Sequence, residues 1–283
     1  MARMPDGPPP PPTAQKLRIR YAKRGRLRFT SHRDIQRAFE RALRRARVPM
    51  AYSAGFTPHP KVSWAGAAPT GVASEAEYVE IGVTRPLDPA ELAAALDESL
   101  PADLDILEVV AAATPNLMER LEASVWEIRL PGVLPEEAEG AVRAFLAASE
   151  VPVERMTKNG VRSFDARAAV VAIEAAADPA TADRGGVSAG ESVGGEGGGH
   201  GDRPCAILRL VVRHLTPAVR PDDVLTGLGR VAGLAPPVPP QVTRLAQGPL
   251  RVGSEAAAAS VSVEALSDPL DPDRAAAGPT TER

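Results

Sequence analysis

Fourteen of the 33 lysine and arginine residues lie between residues 16 and 62, where the only acids are Asp34 and Glu40. This segment has a net charge of +12, whereas the rest of the chain has a net charge of −15. Clustered cations in an otherwise acidic chain are typical of a polyanion-binding surface. The guanidinium group of arginine can bind a phosphate group through two parallel hydrogen bonds. We therefore expect this segment to bind nucleic acid. The alternative is a solvated face in an arginine-rich proteome, since only four of the basic residues are lysine.

Aromatic residues are interleaved with these cations, which favours base stacking beside phosphate contacts. Phe56 and Trp64 lie in a loop framed by glycine and proline and are the predicted stacking residues, whereas Phe29 is expected in the core. The predicted RNA contacts are Arg18, Arg20, Arg26, Arg28, Arg33, Arg37, Arg41, Arg44, Arg45, Lys61, Phe56 and Trp64.

Two histidines, His32 and His59, lie near the cations, and a histidine beside a scissile phosphate can act as general acid or base. The other interpretation is that His32 helps to cap a helix and His59 fixes a turn between two prolines. An acidic cluster, Ser74, Glu75 and Glu77, is read as turn or ion-pair residues in preference to metal ligands. We predict no metal site.

The first part of the chain predicts the order β-α-β-β-α-β, the ferredoxin-like motif. Apolar and basic residues alternate over residues 17–21 and 27–29, which indicates strand, and the spacing of Ser31 and Asp34 indicates a capped helix that ends before Pro49. On the polar side of this helix, every fourth residue from Arg33 to Arg45 is an arginine. Further strands are expected around residues 62–64, 79–83 and 104–109, with a helix from residue 89 to 100.

The second part predicts a similar order less clearly. We expect strands at residues 126–130, 206–212 and 242–245, helices at 135–148 and 220–229, and a hairpin around Asn159-Gly160. Asp165 is expected to cap a short helix through Ile173. The fold class is therefore α+β, with two tandem ferredoxin-like domains at residues 16–113 and 120–245. Residues 1–15 (proline-rich), 178–203 (glycine-rich) and 246–283 are expected to be disordered.

Composition excludes several classes of protein. The single cysteine, Cys205, excludes a disulfide framework and a cysteine-cluster metal site, and no apolar run approaches the roughly 20 residues of a membrane helix. We expect a cytoplasmic protein that binds no cofactor. RNA is favoured over DNA because no DNA-reading motif is present and ferredoxin-like sheets often bind RNA.

Several motifs in the sequence resemble a radical-SAM-linked bacterial domain family of unknown function. They are F-T-S-H-x-D at residues 29–34, S-x-G-F-x-P-H-P at 53–60 and P-x-G-V-x-S-E-x-E-Y at 69–78. K-N-G at 158–160, Asp165 with Arg167, and R-P-x-x-V-L at 220–225 also fit, so the resemblance covers roughly residues 16–245. The resemblance implies a cobalamin-type radical SAM enzyme as partner and a link to the ribonuclease E/G pathway. With one cysteine, this chain lacks the family's cluster-binding C-x-x-x-C-x-x-C and resembles the detached accessory part.

Together these observations predict an RNA-binding adaptor that presents structured RNA, such as tRNA or an rRNA precursor, to a separate radical SAM enzyme for RNA modification or processing. One alternative is a metal-independent endoribonuclease that uses His32 or His59, similar to CRISPR repeat-processing enzymes with tandem ferredoxin-like folds. Their glycine-rich C-terminal loop is not evident here, and we predict no confident catalytic residue. The other alternative is a protein–protein scaffold without RNA contact.

Overall fold

The computed structural model describes residues 10–158, 160–182, 204–251, 261 and 263–277. The chain forms an α+β protein that divides into two compact units. Unit 1 comprises Met1–Leu121, Ala246–Pro249 and Ser267–Arg283, and unit 2 comprises Glu122–Leu245 and Leu250–Leu266. Among the described residues, none of the helices combines the length and the apolar character needed to cross a membrane.

Unit 1 begins with the element order β-α-β-β-α-β that the sequence predicts. The elements are β1 (Gln15–Lys23), α1 (His32–Arg45), β2 (Val62–Ala65), β3 (Ala73–Val83), α2 (Pro89–Ser99) and β4 (Ile106–Ala111). The strands lie in the order β4-β1-β3-β2, and each neighbouring pair is antiparallel. Period-two alternation in β1 places Leu17, Ile19 and Tyr21 on the face that packs against both helices.

Helix α1 forms where its sequence signals predict it. Ser31 caps its first turn, since the Ser31 hydroxyl accepts a hydrogen bond from the backbone N–H of Asp34. Ile35, Phe39 and Leu43 recur at helical spacing and are buried against the sheet. Burying a side chain of this size stabilises a fold by roughly 1.5–3 kcal/mol, so packing of this apolar face holds α1 in place.

The strand expected at residues 27–29 is wrong. Gly25–Phe29 is a short 3-10 helix, and Phe29 is exposed and not in the core. Gly25 has a positive φ of 49°, and an added Cβ there would collide with the Asp103 carboxylate. The chain therefore turns at Gly25, and the two alternations that follow are too few to specify a strand.

Unit 2 contains antiparallel strands of a sheet and a separate hairpin. Its elements are β5 (Ala123–Pro131), α3 (Pro135–Ala147), β6 (Pro152–Thr157), β7 (Gly160–Asp165), β8 (Val170–Ala177), α4 (Pro179–Ala182), β9 (Cys205–Arg213), α5 (Pro221–Ala232) and the first five residues of β10 (Gln241–Gly248), whose last three residues belong to unit 1. The order β5-β9-β8 is fixed by antiparallel pairing. The pairing of β6 with β7 confirms the predicted hairpin, although Asn159 itself lies outside the described residues.

The helix expected from Asp165 through Ile173 is wrong. The Asp165 carboxylate does accept hydrogen bonds from the N–H groups of Arg167 and Ala168, but they close only a short 3-10 turn at Arg167–Ala169. The chain then enters β8, which pairs along β9. Valine and isoleucine favour strands once a neighbouring strand is available, and pairing with β9 is not visible in the local sequence. Of the expected glycine-rich disordered segment, residues 183–203 lie outside the described residues.

The disorder expected over residues 246–283 is also wrong for part of that stretch. A one-turn 3-10 helix (Val263–Ala265) is followed by α6 (Asp271–Ala277), which packs within unit 1. Leu270 joins an apolar cluster with Tyr78 and Leu117, and the Asp273 carboxylate is fully buried. Residues 252–260, 262 and 278–283 lie outside the described residues, as do residues 1–9 of the expected N-terminal disorder.

Asp273 connects this C-terminal segment to β1. Its carboxylate accepts hydrogen bonds from Arg18, Arg120 and Thr114 and from the backbone N–H of Ala113. Burial alone would raise the pKa of Asp273, but the hydrogen bonds from Thr114, Arg18 and Arg120 lower it below its ordinary value. The carboxylate is therefore charged at neutral pH and forms ion pairs with the guanidinium groups of Arg18 and Arg120.

Replacing Asp273 should destabilise unit 1 strongly. We expect Asp273→Ala to lower the free energy of unfolding by about 3–5 kcal/mol, because it removes a buried partner of both Arg18 and Arg120 and leaves Arg18 with Glu80 as its one remaining carboxylate among the described residues. Urea unfolding followed by Trp64 fluorescence in a Trp126→Phe background measures unit 1, since Trp64 lies in that unit. The matched control is Asp271→Ala, which removes an exposed carboxylate from the same helix and should change the free energy by less than about 0.5 kcal/mol. Equal effects of the two substitutions would contradict this account.

The lowered pKa of Asp273 also determines how the stability of unit 1 depends on pH. Because the pKa of Asp273 is lowered in the folded protein, its stabilisation is present above the ordinary carboxyl pKa and is lost as pH falls through the folded pKa. The difference in unfolding free energy between the parent protein and Asp273→Asn should therefore shrink on acidification below about pH 4.

Candidate nucleic-acid interface

The arginine side chains of β1 form ion pairs and hydrogen bonds with carboxylates and backbone groups of unit 1. Arg18 is only 2% exposed, and its guanidinium pairs with Glu80 at 3.0 Å and with Asp273. Arg20 donates to the carbonyl oxygen of Glu75 and lies 3.7 Å from the Asp268 carboxylate. The prediction that Arg18 contacts RNA is therefore corrected: its charge is buried and paired. Arg20 is half-buried and belongs to the same sheet face.

The acidic residues before β3 also have structural roles. The Glu75 carboxylate accepts hydrogen bonds from the Arg24 guanidinium. These hydrogen bonds raise the pKa of Arg24 above its ordinary value, although burial alone would lower it. The Glu77 carboxylate is buried and accepts a hydrogen bond from the backbone N–H of Ala68 at 3.1 Å. Ser74 is buried and accepts from the N–H of Ala76. In the part of the chain that the structure describes, no group of three or more metal-ligating side chains occurs.

The arginines of α1 are exposed, in contrast to those of β1. We call the set Arg33, Arg37, Arg41, Arg44 and Arg45 the α1 stripe. Among the described residues, Asp34 provides the one ion pair with the stripe, a contact of 3.3 Å to Arg37 in which both side chains are more than half exposed. Exposed pairs of this kind contribute roughly 0–1 kcal/mol, so most of the positive charge of the stripe remains uncompensated.

The spacing of the α1 stripe follows from helix geometry. Residues four apart lie on one face and are separated by about 6 Å along the axis, so the stripe from Arg33 to Arg45 spans about 18 Å. Arg45 also donates to the carbonyl oxygen of Ser99 at the end of α2. A row of guanidinium groups of this length can contact several consecutive phosphates of a nucleic-acid strand.

The remaining predicted cations lie in the segments on either side of α1. Arg26 is exposed in the 3-10 helix before α1, where Arg28 lies over the Phe29 ring with its Cζ 4.7 Å from the ring centroid. Lys61 is exposed just before β2, and its Nζ donates to the Thr13 hydroxyl at 2.8 Å. These positions extend the basic surface beyond the helix.

The two predicted stacking residues differ in exposure. Phe56 is 68% exposed in the loop between α1 and β2, as the prediction requires. Trp64 packs on the core of unit 1 with its ring edge-on to Tyr21, Phe39 and His32. Trp64 is therefore half-buried against the core and held by its aromatic contacts, and its stacking on a base stays a prediction.

The histidines do not form a catalytic arrangement with Ser31. The His32 ring bonds the Gln36 amide through Nε2 at 3.0 Å and packs on Trp64, and the Ser31 hydroxyl donates to the Asp34 carboxylate. His59 is exposed, and its backbone N–H donates to the Ser53 hydroxyl across a closed loop. Among the described residues, no hydrogen bond joins His32 to His59. The cap of α1 is Ser31 and not His32, whose ring bonds Gln36 one turn further along the helix, while the backbone of His59 closes the loop as the turn interpretation expects.

Sequence reasoning missed Phe29 as an exposed residue and Asp273 as the partner of Arg18. The signal for Phe29 was the glycine at position 25, which breaks the alternation before the pattern can specify a strand. No local signal marks Asp273, because it lies 255 residues from Arg18 in an alanine-rich segment.

A model of a protein family described as "Uncharacterized protein conserved in bacteria (DUF2344)" matches residues 16–221. This match includes all of α1 and the motifs around it. A search of curated proteins gave no match to the chain.

The uncompensated charge of the α1 stripe should be measurable in the free protein. We expect Arg41→Glu to raise the free energy of unfolding by about 0.5–1 kcal/mol at low ionic strength, because Arg37, Arg44 and Arg45 then face an opposite charge. The control is Arg143→Glu on α3, where the parent residue lies 3.8 Å from Glu139 and reversal should lower the same free energy. Urea unfolding at low salt and at 1 M salt tests both, since screening should remove both effects. A loss of stability in Arg41→Glu would mean that the stripe is already compensated.

Proposed function

Because the chain belongs to this uncharacterized family of bacterial proteins, which carries no assigned activity, we propose its function from the geometry: it is an RNA-binding accessory protein whose α1 stripe contacts the phosphates of a structured RNA. The single observation that carries this proposal is that the stripe remains exposed and largely unpaired while the arginines of β1 are neutralised within unit 1. Like charges four residues apart destabilise a helix, so a bound polyanion would relieve the repulsion.

The proposed interface lies on the helical side of unit 1. Many proteins with ferredoxin-like sheets bind RNA through aromatic residues on the open sheet face. The corresponding face of β1 and β3 carries Arg18, Glu80 and Tyr78, and residues 267–277 with Leu117 cover it. The β-α-β-β-α-β order and the strand order β4-β1-β3-β2 support a ferredoxin-like assignment for unit 1, and we extend that assignment to unit 2 as part of the proposal.

We further propose that the bound RNA is presented to a separate, cobalamin-type radical SAM enzyme in the cytoplasm. The support is the resemblance of the motifs at residues 29–34, 53–60 and 69–78 to radical-SAM-linked domains. The structure explains why these motifs need their residues: Ser31 caps α1, Ser53 closes the loop that carries Phe56, and Glu77 fixes the backbone at Ala68. In this reading the motifs shape the surface around α1 and supply no catalytic group.

Binding of labelled structured RNA, such as tRNA or an rRNA hairpin, tests the proposal directly. We expect fluorescence anisotropy at 50–200 mM salt to show binding that weakens steeply with salt, because released counterions drive contacts to phosphate. The variant Arg37→Glu/Arg41→Glu/Arg45→Glu should bind at least about tenfold more weakly and should lower the slope of log K against log salt by about three.

The matched control is Arg143→Glu/Arg162→Glu/Arg209→Glu, which makes the same change in charge at exposed positions of unit 2. It should bind RNA like the parent protein. Binding that is independent of salt, or equal loss in both triple variants, would refute a specific role for the stripe. RNA cleavage in EDTA that disappears in His59→Ala would favour the endoribonuclease alternative, and co-purification with an enzyme that survives nuclease and high salt would favour the scaffold.

A further inference from the structure

Phe29 is a large apolar side chain on a basic surface. It ends the 3-10 helix Gly25–Phe29, two residues before the cap of α1, and is 62% exposed. Burying an aromatic ring is favourable, and the isolated chain does not obtain most of that contribution because Phe29 is largely exposed. An exposed ring in this position is explained if it is covered by something that unit 1 binds.

The ring of Phe29 is held in place by its neighbour. The Arg28 guanidinium lies over one face with its Cζ 4.7 Å from the ring centroid, and the Arg28 carbonyl oxygen accepts a 2.6 Å hydrogen bond from the backbone N–H of Gly71. Among the described residues, the buried Nε of Arg28 has no hydrogen-bond partner, so stacking on the ring is the contact that orients the guanidinium. The Arg28 guanidinium thus covers one face of Phe29, and most of the residue still remains exposed.

The surroundings of Phe29 are cationic. Arg26 and Arg33 are exposed on either side in sequence, and neither makes an ion pair within the part of the chain that the structure describes. An apolar peptide anchor would be expected to meet an apolar rim, whereas this flat ring is flanked by guanidinium groups. A nucleobase has the matching chemistry, since it offers a flat π face attached to a phosphate backbone.

We propose that Phe29 and Arg28 form a stacking site for one unpaired nucleobase of the RNA whose phosphates contact the α1 stripe. This inference rests on the proposed function and specifies its substrate class, an RNA with an unpaired base beside the bound backbone. Bases within a continuous duplex are already stacked and paired, and their π faces are not accessible to a side chain. The site therefore selects a loop, bulge or single-stranded end.

Two RNAs with the same stem test the site. One carries 2-aminopurine in an unpaired loop, and the other is a blunt duplex of equal length with 2-aminopurine inside the stem. We expect the parent protein to change the fluorescence of the loop base and Phe29→Ala to bind the loop RNA about tenfold more weakly, with duplex affinity changed by less than about twofold. Phe29→Tyr should retain loop binding, whereas Phe29→Leu should not, because leucine keeps apolar area but has no π face.

The control is Met156→Ala, which removes an exposed apolar side chain from the β6–β7 hairpin of unit 2 and should leave both affinities unchanged. If the parent binds neither RNA, the proposed function itself fails. If parent and Phe29→Ala bind both RNAs equally while Arg37→Glu/Arg41→Glu/Arg45→Glu loses both, the function stands and the stacking site is overturned. Retained loop binding in Phe29→Leu, or loss of a co-purifying protein in Phe29→Ala at unchanged RNA affinity, would also overturn it in favour of an apolar contact.

Discussion

The buried contact between Arg18 and Asp273 is the interaction on which the rest of unit 1 depends. Two opposite charges in a protein interior are tolerated only when geometry and hydrogen bonds compensate their desolvation, and here Glu80, Thr114 and Arg120 complete the set. The contact attaches the C-terminal segment to the sheet and closes the face opposite α1. The C-terminal segment therefore covers part of this sheet face, beside an open pocket lined by Arg18, Glu80 and Met118, while the exposed charge of the basic segment lies on α1.

The two groups of arginines illustrate how context separates similar residues. The arginines of β1 and α1 come from one basic segment, but strand geometry directs Arg18 toward carboxylates on β3 and α6, while helix geometry directs Arg37 and Arg41 into solvent. Charge density alone predicted all of them as phosphate contacts. Only those that remain uncompensated have free energy to gain from a polyanion, so the structure narrows the proposed interface to α1 and the segments that flank it.

Local signals in the sequence predicted the elements of the first unit well and the tertiary contacts poorly. The cap at Ser31 and the periodicity of Phe39 and Leu43 fix α1, and alternation fixes β1, because these signals act over a few residues. The position of Asp273, by contrast, depends on a contact between the two ends of the chain. Trp64 shows the same limit: a tryptophan between glycines and prolines resembles a loop residue until the strand pairing of β2 places it on the core.

The surface position of Phe29 is compatible with a stable core and leaves the ring available for the proposed stacking site. Unit 1 already has a core of three mutually packed rings, Tyr21, Phe39 and Trp64, and a fourth ring on the surface adds little to that core. Because Phe29 stands at the start of α1, a base stacked on it would continue into a backbone that follows the arginines of the helix. In the proposed complex, stacking on Phe29 would supply short-range selection for an unpaired base, whereas the α1 stripe would supply long-range attraction that is insensitive to sequence. An RNA recognised in this way is defined by the junction of a paired and an unpaired region, and not by a base sequence.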